Sequence, residues 1–112
     1  MSIKRGSIWL ASLDPTIGSE IRKTRPVVVV SNDTNNANSD LVTILPVTSN
    51  TTHVFSFEVL LLKGVANLTK DSKIKADQIR TLDKSRLIKL IGMLPEASMI
   101  QTDKAMKLHL NL

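Results

Sequence analysis

Short apolar runs separated by polar segments fill most of the chain, a pattern typical of a mainly β protein. The first run, residues 8–13, ends at the turn signal Asp14-Pro15. A run of four valines at residues 27–30 follows Pro26, which we expect to open the second strand. Because this run has no polar interruption, it predicts a strand buried on both faces, at the centre of the sheet.

Four further strands are predicted beyond a polar connection at residues 31–40, whose Asn and Asp side chains favour turns over a regular element. They are placed at residues 41–47, 54–60, 72–78 and 87–94. Phe55, Phe57 and Val59 alternate along one of these strands, so we expect them to share one face. The phenylalanines and Trp9 are expected to lie in the core.

A C-terminal helix is predicted at residues 95–110, because Pro95 and Glu96 suit a first helical turn. Two apolar stripes run along it. One stripe contains Ala97, Ile100, Ala105, Leu108 and Leu112, and the opposite stripe contains Met99, Met106 and Leu110. We expect one of the two to cover the sheet and the other to be free for a partner. The predicted fold is mainly β, a small antiparallel barrel or half-open sheet with one terminal helix.

Composition places this fold in one small domain. The chain has 112 residues, of which 42% are hydrophobic, enough for one core and too few for two domains. The absence of cysteine fits a reducing compartment, and no long apolar segment follows the N-terminus. We therefore expect a single cytoplasmic domain over residues 1–112, without a membrane span.

The charge balance favours a polyanionic partner. Fifteen Lys and Arg against ten Asp and Glu give a net charge of +5. No Lys or Arg occurs over residues 26–62, whereas Arg22, Lys23 and Arg25 are crowded into one short segment. The crowding of positive charge makes residues 22–25 the candidate segment for contact with a polyanion.

Several chemistries are not expected. His53 and His109 have no neighbours at metal-ligand spacing, so we predict no metal site. The four glycines never cluster as in a phosphate-binding loop, and no G-x-S-x-G motif occurs. We predict no cofactor.

Polar residues remain at the predicted strand ends, where loops of a small barrel converge. Each of them alone is also explained as a turn former or a solvated charge. The set comprises Ser19, Glu20, residues 22–25, residues 48–50, Asp77, Gln78 and Arg80.

Five sequence blocks in this order resemble the MazF/PemK toxin family, and together they cover essentially the whole chain. They are Gly6-Ser7-Ile8-Trp9; Asp14-Pro15-Thr16 with Gly18-Ser19-Glu20; Arg25-Pro26 with the valine run and Ser31-Asn32-Asp33; Leu45-Pro46-Val47-Thr48-Ser49; and residues 77–84 with Arg86-Leu87.

The resemblance implies an SH3-like barrel with a C-terminal helix, a homodimer, and a metal-independent endoribonuclease. Such a toxin cleaves single-stranded RNA at short motifs, leaves 5′-hydroxyl ends and is blocked by an antitoxin. The family's usual catalytic pair falls on Arg25 and Thr48. A guanidinium can neutralise phosphate charge while the 2′-hydroxyl attacks, and it holds its own proton too tightly to be a good base.

The resemblance leaves the proton acceptor open. Glu20 and Asp77 are the candidate carboxylates, and water is an alternative. Some relatives have a histidine where this chain has Ser19 and an arginine where it has Lys75, so their His/Arg/Asp scheme does not transfer as a whole.

Splayed bases of the RNA are expected to meet loop side chains that donate and accept hydrogen bonds. Besides Glu20, these are Ser19, Lys23, Ser49, Asn50, Gln78 and Arg80. An acidic, partly disordered antitoxin is expected to cover the same basic loops. The alternative is a poison of DNA gyrase resembling the CcdB toxins, which acts by protein binding and does not require Arg25 and Thr48.

Overall fold

A computed structural model describes residues 2–112 as seven antiparallel strands and two α-helices, connected in part by three short 3-10 turns. The strands are β1 (Ser7–Ser12), β2 (Thr24–Val29), β3 (Leu41–Thr48), β4 (Glu58–Leu61), β5 (Ser72–Lys75), β6 (Arg80–Asp83) and β7 (Leu87–Met93). The helices are α1 (Asp33–Asn38) and α2 (Glu96–Leu110). The mainly β architecture with a C-terminal helix confirms the predicted fold class.

The strand order is β4-β5-β3-β2-β1-β7, and β6 also pairs with β3. Strand β3 connects two parts of the sheet, because its first half pairs with β6 while Val47 and Thr48 pair with β5. No helix among residues 2–112 is long and apolar enough to cross a membrane.

The valine run lies between two cores, as its lack of polar interruption predicted. Val28 and Val30 belong to the core beneath α2, which also contains Leu45, Ile74 and Ala105. Val27 and Val29 point to the opposite core. That second core also contains Trp9, Leu13, Ile44 and Leu82. β2 is therefore central, between β1 and β3.

Two predictions at the second strand and the following connection were wrong. Strand β2 begins at Thr24, not after Pro26, because Thr24 and Arg25 already pair with β1. Pro26 is tolerated since pairing with β3 starts only at Val27. The polar connection contains helix α1, which the Asn32 side chain caps by accepting a hydrogen bond from the Asn35 N–H at 2.8 Å.

The predicted fourth and fifth strands were too long. Residues 54–57 form a turn instead of the start of β4, because the Glu58 N–H donates to the Phe55 carbonyl at 2.9 Å. Phe55 and Phe57 are therefore outside any strand, and Phe55 is exposed rather than part of the core. A 3-10 turn at Ala76–Gln78 ends β5 at Lys75 and separates it from β6, which the sequence reading missed.

Helix α2 agrees with the predicted bounds to one residue, with Pro95 at the cap. The expectation that one whole stripe covers the sheet was wrong, because the inner face takes residues from both stripes. Met99 and Met106 pack against the core with buried Ala105, whereas Ile100, Leu108 and Leu112 are exposed. A mean angle of 100° per residue does not say which of two apolar stripes meets the sheet, and here buried Thr102 lies on the inner face.

Candidate active site

Strands β2 and β3 bring Arg25 and Thr48 to the same end of the sheet. Val27 pairs with Pro46. Arg25 on β2 and Thr48 on β3 each lie two residues beyond this last pair, at the same end of the two strands. Both residues line one cleft of about 220 Å³. The two residues predicted as the catalytic pair, 23 positions apart in the sequence, therefore share one site.

Thr48 is half-buried and its hydroxyl oxygen accepts a hydrogen bond from the Asn50 N–H at 3.2 Å. This bond uses an acceptor position of the hydroxyl and leaves its proton available as a donor. The Thr48 hydroxyl can therefore donate to a phosphate oxygen in the cleft.

Arg25 is exposed, and its Nε donates to the Arg22 carbonyl at 3.2 Å. Neither terminal amino group of the guanidinium has a hydrogen-bond partner within residues 2–112. The fork of donors that suits a phosphate group is thus unoccupied, while the Nε bond limits how the side chain can turn.

Three further residues of the cleft, Thr69, Lys70 and Ser72, escaped the sequence reading. They come from the segment between β4 and β5, far from Arg25 in the chain. No rule of sequence spacing relates Thr69, Lys70 and Ser72 to Arg25. The only feature of the sequence that hinted at a role for Lys70 was the general excess of basic residues. Lys70 adds a second positive charge to the cleft.

Glu20 and Asp77, the two candidate proton acceptors, line a second cavity of about 220 Å³ together with Gln78 and Arg80. Strand β3 contributes to both cavities, with Pro46 lining this one and Val47 the cleft of Arg25 and Thr48. The structure thus places both carboxylates in a depression separate from the cleft of the predicted pair.

The two carboxylates differ in their surroundings. Glu20 is exposed, and its Oε1 accepts a hydrogen bond from the Ile17 N–H at 2.6 Å. Asp77 is half-buried, and within the described chain its buried Oδ1 accepts no hydrogen bond. The nearest cation to that oxygen is the Lys75 Nζ at 3.9 Å.

Gln78 and Arg80 hold the β1–β2 loop, residues 13–23. The Gln78 Oε1 accepts a hydrogen bond from the Ile21 N–H at 2.8 Å, and the Arg80 Nη1 donates to the Leu13 carbonyl at 2.7 Å. Arg86 adds a bond from its Nη1 to the Asp14 carbonyl at 2.6 Å. Two residues predicted to bind RNA therefore also support the loop that leads to Arg25.

The remaining predicted RNA-binding residues are exposed on two loops. Ser19 and Lys23 lie on the β1–β2 loop, where the Lys23 N–H donates to Asp14 Oδ1 at 3.1 Å. Ser49 and Asn50 follow β3, and the Asn50 Oδ1 accepts a hydrogen bond from the Thr52 N–H at 3.3 Å. These loops flank the two cavities.

A buried ion network lies on the strands next to Thr48. Lys73, the β5 residue paired with Thr48, contacts Glu58 Oε1 at 3.1 Å, and Lys75 contacts Glu58 Oε2 at 2.8 Å. Burial raises the pKa of Glu58, but hydrogen bonds from Lys75, the Phe55 N–H and Lys73 outweigh it and leave this pKa below its ordinary value. Lys75, the position where some relatives have arginine, is thus held between Glu58 and Asp77.

Within residues 2–112 no group of three or more His, Asp or Glu side chains is arranged to hold a metal ion. The polar chemistry described for the two cavities therefore rests on guanidinium, ammonium, hydroxyl, amide and carboxylate groups.

Comparison with known proteins identifies relatives of this chain. Residues 4–110 match the family described as PemK-like, MazF-like toxin of type II toxin-antitoxin system. The chain is 44% identical to endoribonuclease MazF9 of Mycobacterium tuberculosis, over 98% of both chains. It is 40% identical to endoribonuclease MazF of Staphylococcus epidermidis, over 98% of this chain and 92% of the relative.

Solved structures show the same fold at low sequence identity. A crystal structure of MazF from Deinococcus radiodurans superposes with a TM-score of 0.87 at 24% identity, over 100% of this chain and 99% of that one. An endoribonuclease from a mycobacterial species, solved with its cognate antitoxin, gives a TM-score of 0.78 at 22% identity, over 99% and 95% of the two chains. With the family match over nearly its whole length, the chain belongs to the PemK-like, MazF-like toxins of type II toxin-antitoxin systems.

Proposed function

We propose that this protein is an endoribonuclease toxin that cleaves single-stranded RNA at short sequence motifs. The observation that carries the proposal is that Arg25 and Thr48, just beyond the last β2–β3 pair, line one cleft with Lys70. Its relatives at 44% and 40% identity are named endoribonucleases. RNA provides the phosphate group that such a set of donors recognises.

In the proposed reaction the 2′-hydroxyl oxygen attacks the adjacent phosphorus. A bond from O2′ to phosphorus forms and the bond from phosphorus to O5′ breaks, which leaves a 2′,3′-cyclic phosphate and a 5′-hydroxyl end. Arg25 stabilises the negative charge that develops on the phosphate oxygens, and Thr48 donates a hydrogen bond to one of them. No metal or cofactor takes part in this scheme.

The 2′-hydroxyl proton passes to Asp77, Glu20 or water, and a proton from solvent or the same acceptor reaches O5′. Each carboxylate has one feature in its favour as the acceptor: Glu20 is exposed but its Oε1 already accepts the Ile17 N–H, whereas the Asp77 Oδ1 accepts no hydrogen bond within residues 2–112 but is buried. Lys75, near Asp77, keeps a positive charge beside this carboxylate.

The bases are read by the exposed loops on either side of the cavities. Ser19, Lys23, Ser49 and Asn50 meet the RNA directly, and Gln78 and Arg80 contact it from the second cavity while they support the β1–β2 loop. The toxin works in the cytoplasm as a homodimer. An acidic antitoxin segment covers the basic loops and blocks access of RNA.

Incubation of the purified protein with a long mixed-sequence RNA in excess EDTA tests this function. The expected result is discrete cuts with 5′-hydroxyl ends, and a loss of at least about 100-fold in rate for Arg25→Ala and for Thr48→Ala. Lys84→Ala removes a charge at the other end of β3 from Thr48 and should cut at the wild-type rate. An intact wild-type protein that makes no cuts would favour the gyrase poison instead.

A further inference from the structure

Three aromatic side chains form a row on the surface of the loop between β3 and β4. The rings of His53 and Phe55 have centroids 4.3 Å apart and are tilted by 49°. The rings of Phe55 and Phe57 are stacked, with centroids 5.2 Å apart and planes within 5° of parallel. Phe55, in the middle of the row, is 48% exposed.

This placement is not explained by the stability of the fold. The chain has one Trp, two Phe and no Tyr, and only Trp9 is in the core. Burial of a phenylalanine side chain contributes about 1.5–3 kcal/mol, which an exposed ring forgoes. Two of the chain's three large aromatic residues are thus on the loop that follows Thr48.

The row is held by buried polar contacts. The Phe55 N–H donates to Glu58 Oε1 at 2.9 Å, and the Glu58 N–H donates to the Phe55 carbonyl at 2.9 Å. The Lys73 Nζ donates to the His53 carbonyl at 2.5 Å. Glu58 and Lys73 are both buried, so the loop backbone under the rings is fixed before any ligand binds.

The row is also close to the cleft of Arg25 and Thr48. Lys73, which holds His53, is the cross-strand partner of Thr48. His53 is five positions after Thr48, a span of at most about 18 Å even for a fully extended chain. That distance corresponds to about five nucleotides at the spacing of a stacked strand.

We propose that His53, Phe55 and Phe57 form a stacking site for an unpaired nucleobase that flanks the cleavage site. The proposal rests on the proposed ribonuclease function and extends it to a contact that does not depend on base identity. An unpaired base of the bound strand stacks on the part of the Phe55 ring that the row leaves exposed, as bases do on aromatic side chains of single-strand binding proteins. The base helps to hold the RNA while its phosphate lies against Arg25 and Thr48.

A steady-state comparison of Phe55 variants tests the site. The substrates are an RNA with several nucleotides on each side of the cleaved bond and the same RNA with abasic flanks. Phe55→Ala and Phe55→Leu should raise KM for the intact RNA about 5- to 100-fold, with little change in kcat, because each removes the π face. Phe55→Tyr keeps the π face and should stay within about twofold of wild type.

The leucine variant separates stacking from packing, since it keeps an apolar side chain on the same turn. Leu62→Ala, at an exposed apolar position after β4, is the matched control and should not change KM. On the abasic RNA, wild type and Phe55→Leu should have the same KM. A wild-type KM for Phe55→Leu on the intact RNA, or an equal loss on both substrates, would overturn the proposal.

A binding measurement keeps the stacking site testable even without cleavage. A flanking 2-aminopurine in a strand with 2′-deoxy sugars should lose fluorescence on the wild-type protein and keep it on Phe55→Leu. If wild type binds this strand with no loss of fluorescence, the stacking site is wrong whether or not the protein cuts RNA. If Phe55→Leu instead loses only antitoxin binding, the row is a protein contact and the proposal also fails.

Discussion

The buried Glu58 carboxylate shows how a single side chain organises the region beside Thr48. It accepts hydrogen bonds from Lys73, Lys75 and the Phe55 N–H, and its side chain is fully buried. These bonds keep its pKa below the ordinary value despite burial, so the carboxylate is charged in the folded protein at neutral pH. The charge neutralises two lysines that would otherwise be desolvated without a partner.

Stability should therefore depend on the charge of Glu58. A lowered folded-state pKa contributes stability that is present above the unfolded value of about 4.3 and is lost as pH falls through the folded value. Glu58→Gln should lower the free energy of unfolding by about 3 kcal/mol at pH 7, because Lys73 and Lys75 lose their counter-charge. Urea unfolding at pH 7 and pH 3 measures this difference.

At pH 3 the difference between wild type and Glu58→Gln should shrink, since the wild-type carboxyl becomes protonated as well. Asp33 and Asp83, whose pKa values are also lowered by hydrogen bonds, remain in both proteins and cancel in the comparison. The same difference at both pH values would contradict the role given to the Glu58 charge.

At the scale of elements, the β1–β2 loop is held in place by side chains that are more than 50 positions away in the sequence. Gln78, Arg80 and Arg86 each bond to its backbone, and Arg86 also donates to the Ser12 carbonyl at 3.3 Å. The loop has no helix or strand of its own between β1 and β2, so these bonds define its shape. It carries Glu20 and Lys23 and leads directly into Arg25.

Removal of one of these bonds should loosen the loop without unfolding the sheet. Arg86→Ala frees the Asp14 carbonyl, and we expect trypsin to cut after Arg22 or Lys23 several-fold faster than in wild type. The KM for RNA should rise several-fold as well. Lys84→Ala, a charge removal on the same 3-10 turn, is the control. Equal trypsin rates in Arg86→Ala and Lys84→Ala would show that Arg86 does not hold the loop.

At the scale of the whole molecule, the net charge of +5 acts through its distribution. Arg25 and Lys70 come together in one cleft, while Lys73 and Lys75 are neutralised by Glu58. Only part of the positive charge is therefore available to RNA phosphates. The net charge predicted a polyanionic partner, but only the fold shows which basic side chains can contact its phosphates.

Salt dependence of RNA binding measures how many of these charges are used. Each phosphate contact releases counterions, so log affinity should fall linearly with log salt concentration, by about 0.7 per contact on a single strand. Lys70→Ala should flatten this slope by about 0.7 and weaken binding similarly for all sequences. Lys84→Ala, at the other end of β3 from Thr48, should leave the slope unchanged. An unchanged slope for Lys70→Ala would remove Lys70 from the RNA contact surface.

The sequence predicted those features that depend on local pattern. The valine run indicated a central strand, and five other apolar segments predicted strands that the structure also contains. Helix α2 was placed to within one residue. The Arg25 and Thr48 assignment came from family resemblance, since no local pattern relates two residues on different strands. Arg25 and Thr48 lie in one cleft because β2 pairs with β3.

The failures arose where side chains, rather than hydropathy, determine the backbone. Glu58 binds the Phe55 N–H and turns a predicted strand into an exposed aromatic loop. Asn32 caps α1 in a segment that composition alone assigned to turns. The approach of Lys70 to Arg25 depends on how β5 pairs with β3, which is a tertiary property.

The central claim is that cleavage uses the 2′-hydroxyl beside the broken bond, with Arg25 and Thr48 acting on the phosphate. The most direct measurement uses a synthetic RNA that contains one mapped cleavage site, with a single 2′-deoxy sugar either just before the cut or one nucleotide after it, in excess EDTA. The account predicts no cutting of the first RNA and normal cutting of the second. Cutting of the first RNA at the wild-type rate would contradict the mechanism.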